Sequence, residues 1–152
     1  MQGQQHRETT SALKMPTRVP WIVHLNTGSC NGCDIEVLAA LTLFYDTEHL
    51  GVKPASNSRR ANIIVVTGAL TKKAAEELRR LYEQIPDPKY VIAVGTCAIS
   101  GNVFRHSYSV IGGVERAVPV DFYVPGCPPR PEAIIQGIVE LLKKVEEEVG
   151  GD

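Results

Sequence analysis

Residues 90–97 read Tyr90-Val91-Ile92-Ala93-Val94-Gly95-Thr96-Cys97: a short apolar run, then a glycine, then a cysteine. An apolar run with weak alternation is what a strand covered on both faces requires. The pattern recurs at Trp21–Leu25, Ile63–Thr67 and Asp121–Val124, each followed within a few residues by glycine. Helical patterns lie between these runs. Thr71 is placed to cap a helix running to Ile85, with Ala74, Leu78, Leu81, Tyr82 and Ile85 on one face and Pro86 and Pro88 to stop it. Pro131 opens a last helix that carries Ile134, Ile138, Leu141, Leu142 and Val145 inward. The segment Asp34–Tyr45 is apolar almost all round and reads as a buried helix, and Gly51–Arg60 has room for a further strand. Alternating elements of this size predict an open, doubly wound parallel α/β sheet in one domain.

The composition agrees with that scale. A chain of 152 residues fits a single domain and can bury a sizeable core without staples. Hydrophobic residues make up 43% and charged residues 22%, which places the chain among ordinary folded proteins. A formal net charge of -1 offers no footprint for nucleic acid. The longest apolar stretches, such as Ile63–Val66, are far too short to span a bilayer. Residues 1–15 (MQGQQHRETTSALKM) are polar, lack the apolar core of a secretory signal and read as a flexible arm, leaving 16–152 as the folded domain. Membrane association is therefore expected only through a partner.

The four cysteines carry the chemistry. Cys30 and Cys33 follow the first predicted strand as Cys-Asn-Gly-Cys, Cys97 follows the third, and Cys127 follows the fourth in Pro125-Gly126-Cys127-Pro128-Pro129. In a parallel sheet all strand carboxyl ends lie on one edge, where ligands of such folds bind. Three separate loops thus deliver four thiols to one edge. A disulfide framework fits poorly with a core of this size and no export signal. Structural zinc usually takes two close pairs, and here the second pair is split. A thioredoxin-like dithiol at Cys30 and Cys33 suits a strand-to-helix turn but leaves Cys97 and Cys127 without a role. Four buried, inert cysteines are a further alternative. An iron–sulfur cluster held by four thiolates uses every cysteine. Gly28, Gly32, Gly95, Gly101 and Gly126 would let the backbone approach it closely.

The stretches Gly28-Ser29-Cys30-Asn31-Gly32-Cys33, Gly95-Thr96-Cys97-Ala98 and Pro125-Gly126-Cys127-Pro128-Pro129-Arg130-Pro131-Glu132 resemble the small, cluster-bearing subunit of [NiFe] hydrogenases. The same module recurs in respiratory complex I as its 20 kDa subunit. The resemblance runs from about Trp21 to Val145. Cys30-x-x-Cys33 has the hydrogenase spacing, whereas Ser107–Val110 and Val118–Asp121 look like the complex I subunit. Together they are similar to the membrane-bound, energy-converting hydrogenases and their sulfur-reducing or quinone-reducing relatives. That resemblance implies a flavodoxin-like fold, one proximal [4Fe-4S] cluster on Cys30, Cys33, Cys97 and Cys127, and electron transfer to or from a docked large catalytic subunit. It also implies a further iron–sulfur subunit, membrane subunits, and a peripheral position on the cytoplasmic side of the membrane.

Glu36 falls one helical turn after Cys33, and the resemblance implies a part in proton movement near the large-subunit interface; a first-turn carboxylate favouring the helix dipole is the plainer reading. Arg59 matches an arginine that the family carries before its second strand, where it would raise the cluster potential, although Ser58 and Asn62 depart from the family's proline and aspartate. His24 reads as a packed core histidine, and His49 and His106 as solvated. Gly68-Ala69-Leu70-Thr71 lies where a doubly wound protein would hold phosphate, but no Gly-x-Gly-x-x-Gly or Walker lysine accompanies it.

Overall fold

A computed structural model describes residues 20–42 and 44–150, so the arm expected over residues 1–15 lies outside the described residues. Five strands form the main sheet: β1 (Trp21–Asn26), β2 (Lys53–Pro54), β3 (Ile63–Thr67), β5 (Tyr90–Val94) and β7 (Phe122–Val124), in the order β2-β1-β3-β5-β7. Every neighbouring pair is parallel. This is the flavodoxin-like order, in which the chain reverses its direction of winding between β1 and β3. The room left for a strand in Gly51–Arg60 is filled by β2, a two-residue edge strand held by Lys53 N–H to Pro20 O at 3.0 Å and Ala55 N–H to Ile22 O at 2.7 Å. A separate antiparallel pair joins β4 (Leu70–Thr71) to β6 (Val110–Gly112) beside the main sheet.

Helices cover both faces, which is why β3 is buried along its whole length. On one face α1 (Gly32–Ala40) packs beside α4 (Pro131–Gly150), and Val37, Ala40, Ile134, Ile138 and Leu141 meet Ile22, Ile63, Val65, Ile92 and Val94. On the other, α2 (Lys72–Gln84) and the short α3 (Thr96–Ser100) bury Ala75, Leu78 and Ala98 against Ile64, Val66, Val91 and Ala93. Thr71 caps α2 as its sequence predicts, its Oγ1 accepting the Ala74 N–H at 3.2 Å.

The segment Asp34–Tyr45 departs from expectation. The helix ends at Ala40, where Thr42 turns back to donate its hydroxyl to Ala39 O at 2.6 Å. It is not buried all round: Ile35 is 61% and Leu38 58% exposed, with Phe44 beyond them at 86%. Apolar residues on every side of a helix say nothing about which molecule covers the outer side. Here the described residues of the chain cover the side bearing Cys33, Val37 and Ala40.

Candidate metal centre

All four cysteines lie at the carboxyl edge of the sheet, in the loops after β1, β5 and β7. The first loop turns at Asn31, whose left-handed φ of 72° directs the chain into α1, so that Cys33 enters the first helical turn and is buried while Cys30 stays exposed. Cys97 sits in α3, and its loop is tied to that of Cys127. Gly95 N–H donates to Val124 O at 2.8 Å, and both the Thr96 N–H (2.9 Å) and its hydroxyl (3.1 Å) donate to Gly126 O. Cys127 is exposed, Cys97 half-buried, and none of the four is in a disulfide.

The loops meet so closely that two glycines have no room for a side chain. At Gly95, with φ +90°, an added Cβ would stand 2.5 Å from Cys33 Sγ. At Gly68, with φ +88°, it would stand 2.2 Å from the Ser29 backbone nitrogen, so the end of β3 packs directly on the Cys30 loop. Both positions need a residue that adopts positive φ and lacks a Cβ.

Electrostatics record the convergence. Burial first, and then the charges of Cys97, Cys30, Cys127 and Asp34, together push the Cys33 thiol up to about 11. Burial also raises Cys97; the Asn102 side chain, hydrogen-bonded to it, works against that rise, while Cys127 and Cys30 add to it. Four thiols from three loops therefore feel one another. They repel as thiolates, and a cationic group among them would relieve both that repulsion and the burial penalty. Among the described residues no three His, Cys, Asp or Glu side chains form a group that could hold a metal ion. Four soft thiolate donors brought to one edge by three loops fit an iron–sulfur group.

The remaining predicted residues divide. Glu36 stands on α1 one turn beyond Cys33, half-buried, with no side-chain hydrogen bond or ion pair among the described residues. Arg59 is exposed in the turn Ser58–Arg60 that leads into the amino end of β3, whereas the cysteines follow carboxyl ends, and it is absent from the groups that shift Cys33 or Cys97. Its backbone N–H donates to Asn57 Oδ1 at 3.0 Å, and Asn62 accepts the Trp21 N–H at 2.8 Å. His49 and His106 are exposed as expected.

His24 is more than a packing residue. Its Nε2 lies 3.0 Å from Thr67 Oγ1 and 3.1 Å from Asp34 Oδ1. Asp34 is buried and also accepts from the Thr67 hydroxyl and from Asn26 Nδ2 at 2.6 Å. The Asn26 oxygen in turn accepts the backbone N–H groups of Gly28 (2.9 Å) and Ser29 (2.8 Å). Sequence reasoning missed Asn26, Asp34, Thr67 and Asn102. Two signals were present: an aspartate directly after a candidate ligand, and polar residues closing two strands that otherwise read as apolar.

Comparison with known proteins agrees with this geometry. Residues 30–141 match the family described as NADH ubiquinone oxidoreductase, 20 Kd subunit. A probable membrane-bound hydrogenase subunit, mbhJ, from Pyrococcus furiosus is 50% identical over 135 residues, covering 89% of this chain and 81% of that protein. A subunit of an NADH-quinone oxidoreductase from Amoebophilus asiaticus is 49% identical over 115 residues, covering 75% of this chain and 72% of its own length. Among solved structures, a chain of the membrane-bound sulfane sulfur reductase, an archaeal respiratory membrane complex, superposes with a TM-score of 0.72 at 36% identity, over 88% of this chain and 72% of that one. A chain of an NAD+-reducing [NiFe]-hydrogenase shares the fold at a TM-score of 0.65 and 21% identity, over 84% of this chain and 93% of that one. No helix among the described residues is long and apolar enough to cross a membrane. The chain belongs to the family of the complex I 20 kDa subunit and its membrane-bound hydrogenase relatives, and is a subunit of an oxidoreductase complex.

Proposed function

We propose that this chain holds one [4Fe-4S] cluster on Cys30, Cys33, Cys97 and Cys127. Through it the chain relays electrons between a cluster-bearing partner and the large catalytic subunit of a membrane-bound respiratory complex. The observation that carries this reading is the meeting of four thiols from three loops, each within reach of the others' charge. When bound, the cluster supplies one-electron oxidation and reduction. The chain contributes the rest. Four thiolates fix the position, Gly95 and Gly68 let the loops close, and the Asn102 side chain steadies Cys97. Ile35, Leu38 and Phe44 lie exposed on and just beyond the helix that begins at the cluster loop, and they form the face that meets the large subunit. Glu36, carboxylate-bearing and unpartnered on that helix, passes protons at the same interface. Further subunits anchor the assembly in the membrane, with this chain on the cytoplasmic side. The named relatives, a hydrogenase subunit and a quinone oxidoreductase subunit, support a place in the same class of redox complex, whose catalytic subunit reduces protons, a sulfur species or a quinone.

A free-standing thiol–disulfide oxidoreductase using Cys30 and Cys33 would need neither Cys97 nor Cys127, yet both bear on the Cys33 thiol. Iron and acid-labile sulfide, assayed in the complex purified without oxygen, test the proposal together with electron paramagnetic resonance before and after dithionite. Relative to the unaltered complex, Cys97→Ser is expected to lose up to about four iron and four sulfide per copy of this chain, and to lose or change one signal on reduction. A chain without iron inside its native complex, or iron unaffected by Cys97→Ser, would sink it.

A further inference from the structure

The buried carboxylate of Asp34 is the strongest feature not yet assigned a task. It sits directly after Cys33 in the first turn of α1, with residue exposure of only 8%. Such a group usually pairs with a cation or faces solvent. Instead it is enclosed by donors from the ends of two neighbouring strands: Asn26 Nδ2, the Thr67 hydroxyl and His24 Nε2. Asn26 and Thr67 are direct register partners on β1 and β3, so the carboxylate is fixed at the point where the sheet changes its direction of winding. Asn26 also holds the Cys30 loop through Gly28 and Ser29. One amide thus links the carboxylate to the single loop that carries Cys30 and Cys33.

Resting on the cluster reading above, we infer that Asp34 is a potential-setting residue, which keeps a fixed negative charge beside Cys33 and thereby holds the cluster at a lower reduction potential. Reduction adds an electron to a group already carrying four thiolates, so a nearby negative charge opposes it, and net charge is one of the levers the protein has on such a group. The donors do two things. They satisfy the carboxylate as an acceptor, which makes its burial tolerable, and they stop it from swinging to solvent, where water would screen it.

The test uses the assembled complex, purified without oxygen, with the cluster signal followed through a redox titration. A protonated His24 would cancel the charge, so the titration is run well above the ordinary imidazole range. Asp34→Asn keeps the shape: its oxygen can face Asn26, and its amide can donate to Thr67, whose hydroxyl can turn. Asp34→Ser is a second neutral side chain suited to a first helical turn, and Asp34→Glu keeps the charge. We expect full iron in Asp34→Asn or Asp34→Ser with a midpoint shifted to more positive potential, and a value near that of the unaltered complex in Asp34→Glu. A loaded neutral variant with an unshifted midpoint would overturn the inference. So would loss of iron from both neutral variants with retention in Asp34→Glu, which would make the carboxylate part of what assembles the site. If Cys97→Ser in the same complex changed neither the iron content nor the titrated signal, the parent reading would fall instead, so the two failures are distinguishable.

Discussion

Helices α1 and α2 lie on opposite faces of one sheet and are built on opposite plans. In α2 the wet side is all charge, Lys72, Lys73, Glu76, Glu77, Arg79 and Arg80, while Ala75 and Leu78 are sealed against β3 and β5. A threonine caps its start. In α1 no side chain caps the start, a left-handed asparagine takes that place, and Ile35 and Leu38 point to solvent. Helix α2 has completed its contacts within the chain. Helix α1 has reserved half of its own. The difference separates what stabilises the fold from what attaches the fold to something else, since soluble chains seldom leave neighbouring large apolar side chains open without a use.

That contrast can be broken by experiment. Ile35→Asp combined with Leu38→Asp should have the largest effect: the isolated chain keeps its stability to within about 0.5 kcal/mol, as surface changes do, yet it no longer purifies with its partner subunits. Denaturant melts and affinity purification of the tagged complex measure the two halves; a destabilised chain that still assembles would erase the distinction. Leu78→Ala, on the sealed side of α2, should do the reverse. It removes a fully buried side chain at a cost of about 2–5 kcal/mol in the same melts, while whatever folds still joins the complex. Glu36→Gln sharpens the contrast at smaller scale. Stability and the cluster spectrum should not change, and turnover of the complex should fall about tenfold, equivalent to about 1.4 kcal/mol. An unchanged rate would leave Glu36 as an ordinary half-buried carboxylate on α1 and nothing more.

Much of this was written locally in the sequence. Strands β3 and β5 coincide with their apolar runs, and Thr71 and Pro131 stand at the helix starts where propensity puts them. The cysteines were legible because the rule placing strand carboxyl ends on one edge converts four distant positions into neighbours. What stayed hidden was set by contacts across the sheet. Asp34 looks like an ordinary first-turn residue until Asn26 and Thr67 are seen in register beside it. The exposure of Ile35 and Leu38 was hidden for another reason: hydrophobicity reports that a surface wants covering, and not by which chain. Arg59 stands in the turn that leads into the amino end of β3, and the potential-raising role the resemblance implies for it rests on the resemblance alone.

The spread of the four cysteines also dictates a schedule for the protein's birth. Cys30 leaves the ribosome before β3, β5 and β7 have been made, whereas Cys127 comes only after β7, the last strand of the main sheet among the described residues. Parallel pairing between distant segments is slow to form. No nascent fragment can therefore gather the full set of thiols, and the newborn chain must pass through an interval in which it is nearly folded but still bare. During that interval two exposed thiols and an uncovered apolar helix face are open to air and to other chains. On the proposed reading, delivery of iron and docking of the partner thus compete against oxidation and aggregation, and the fold itself fixes when that race begins.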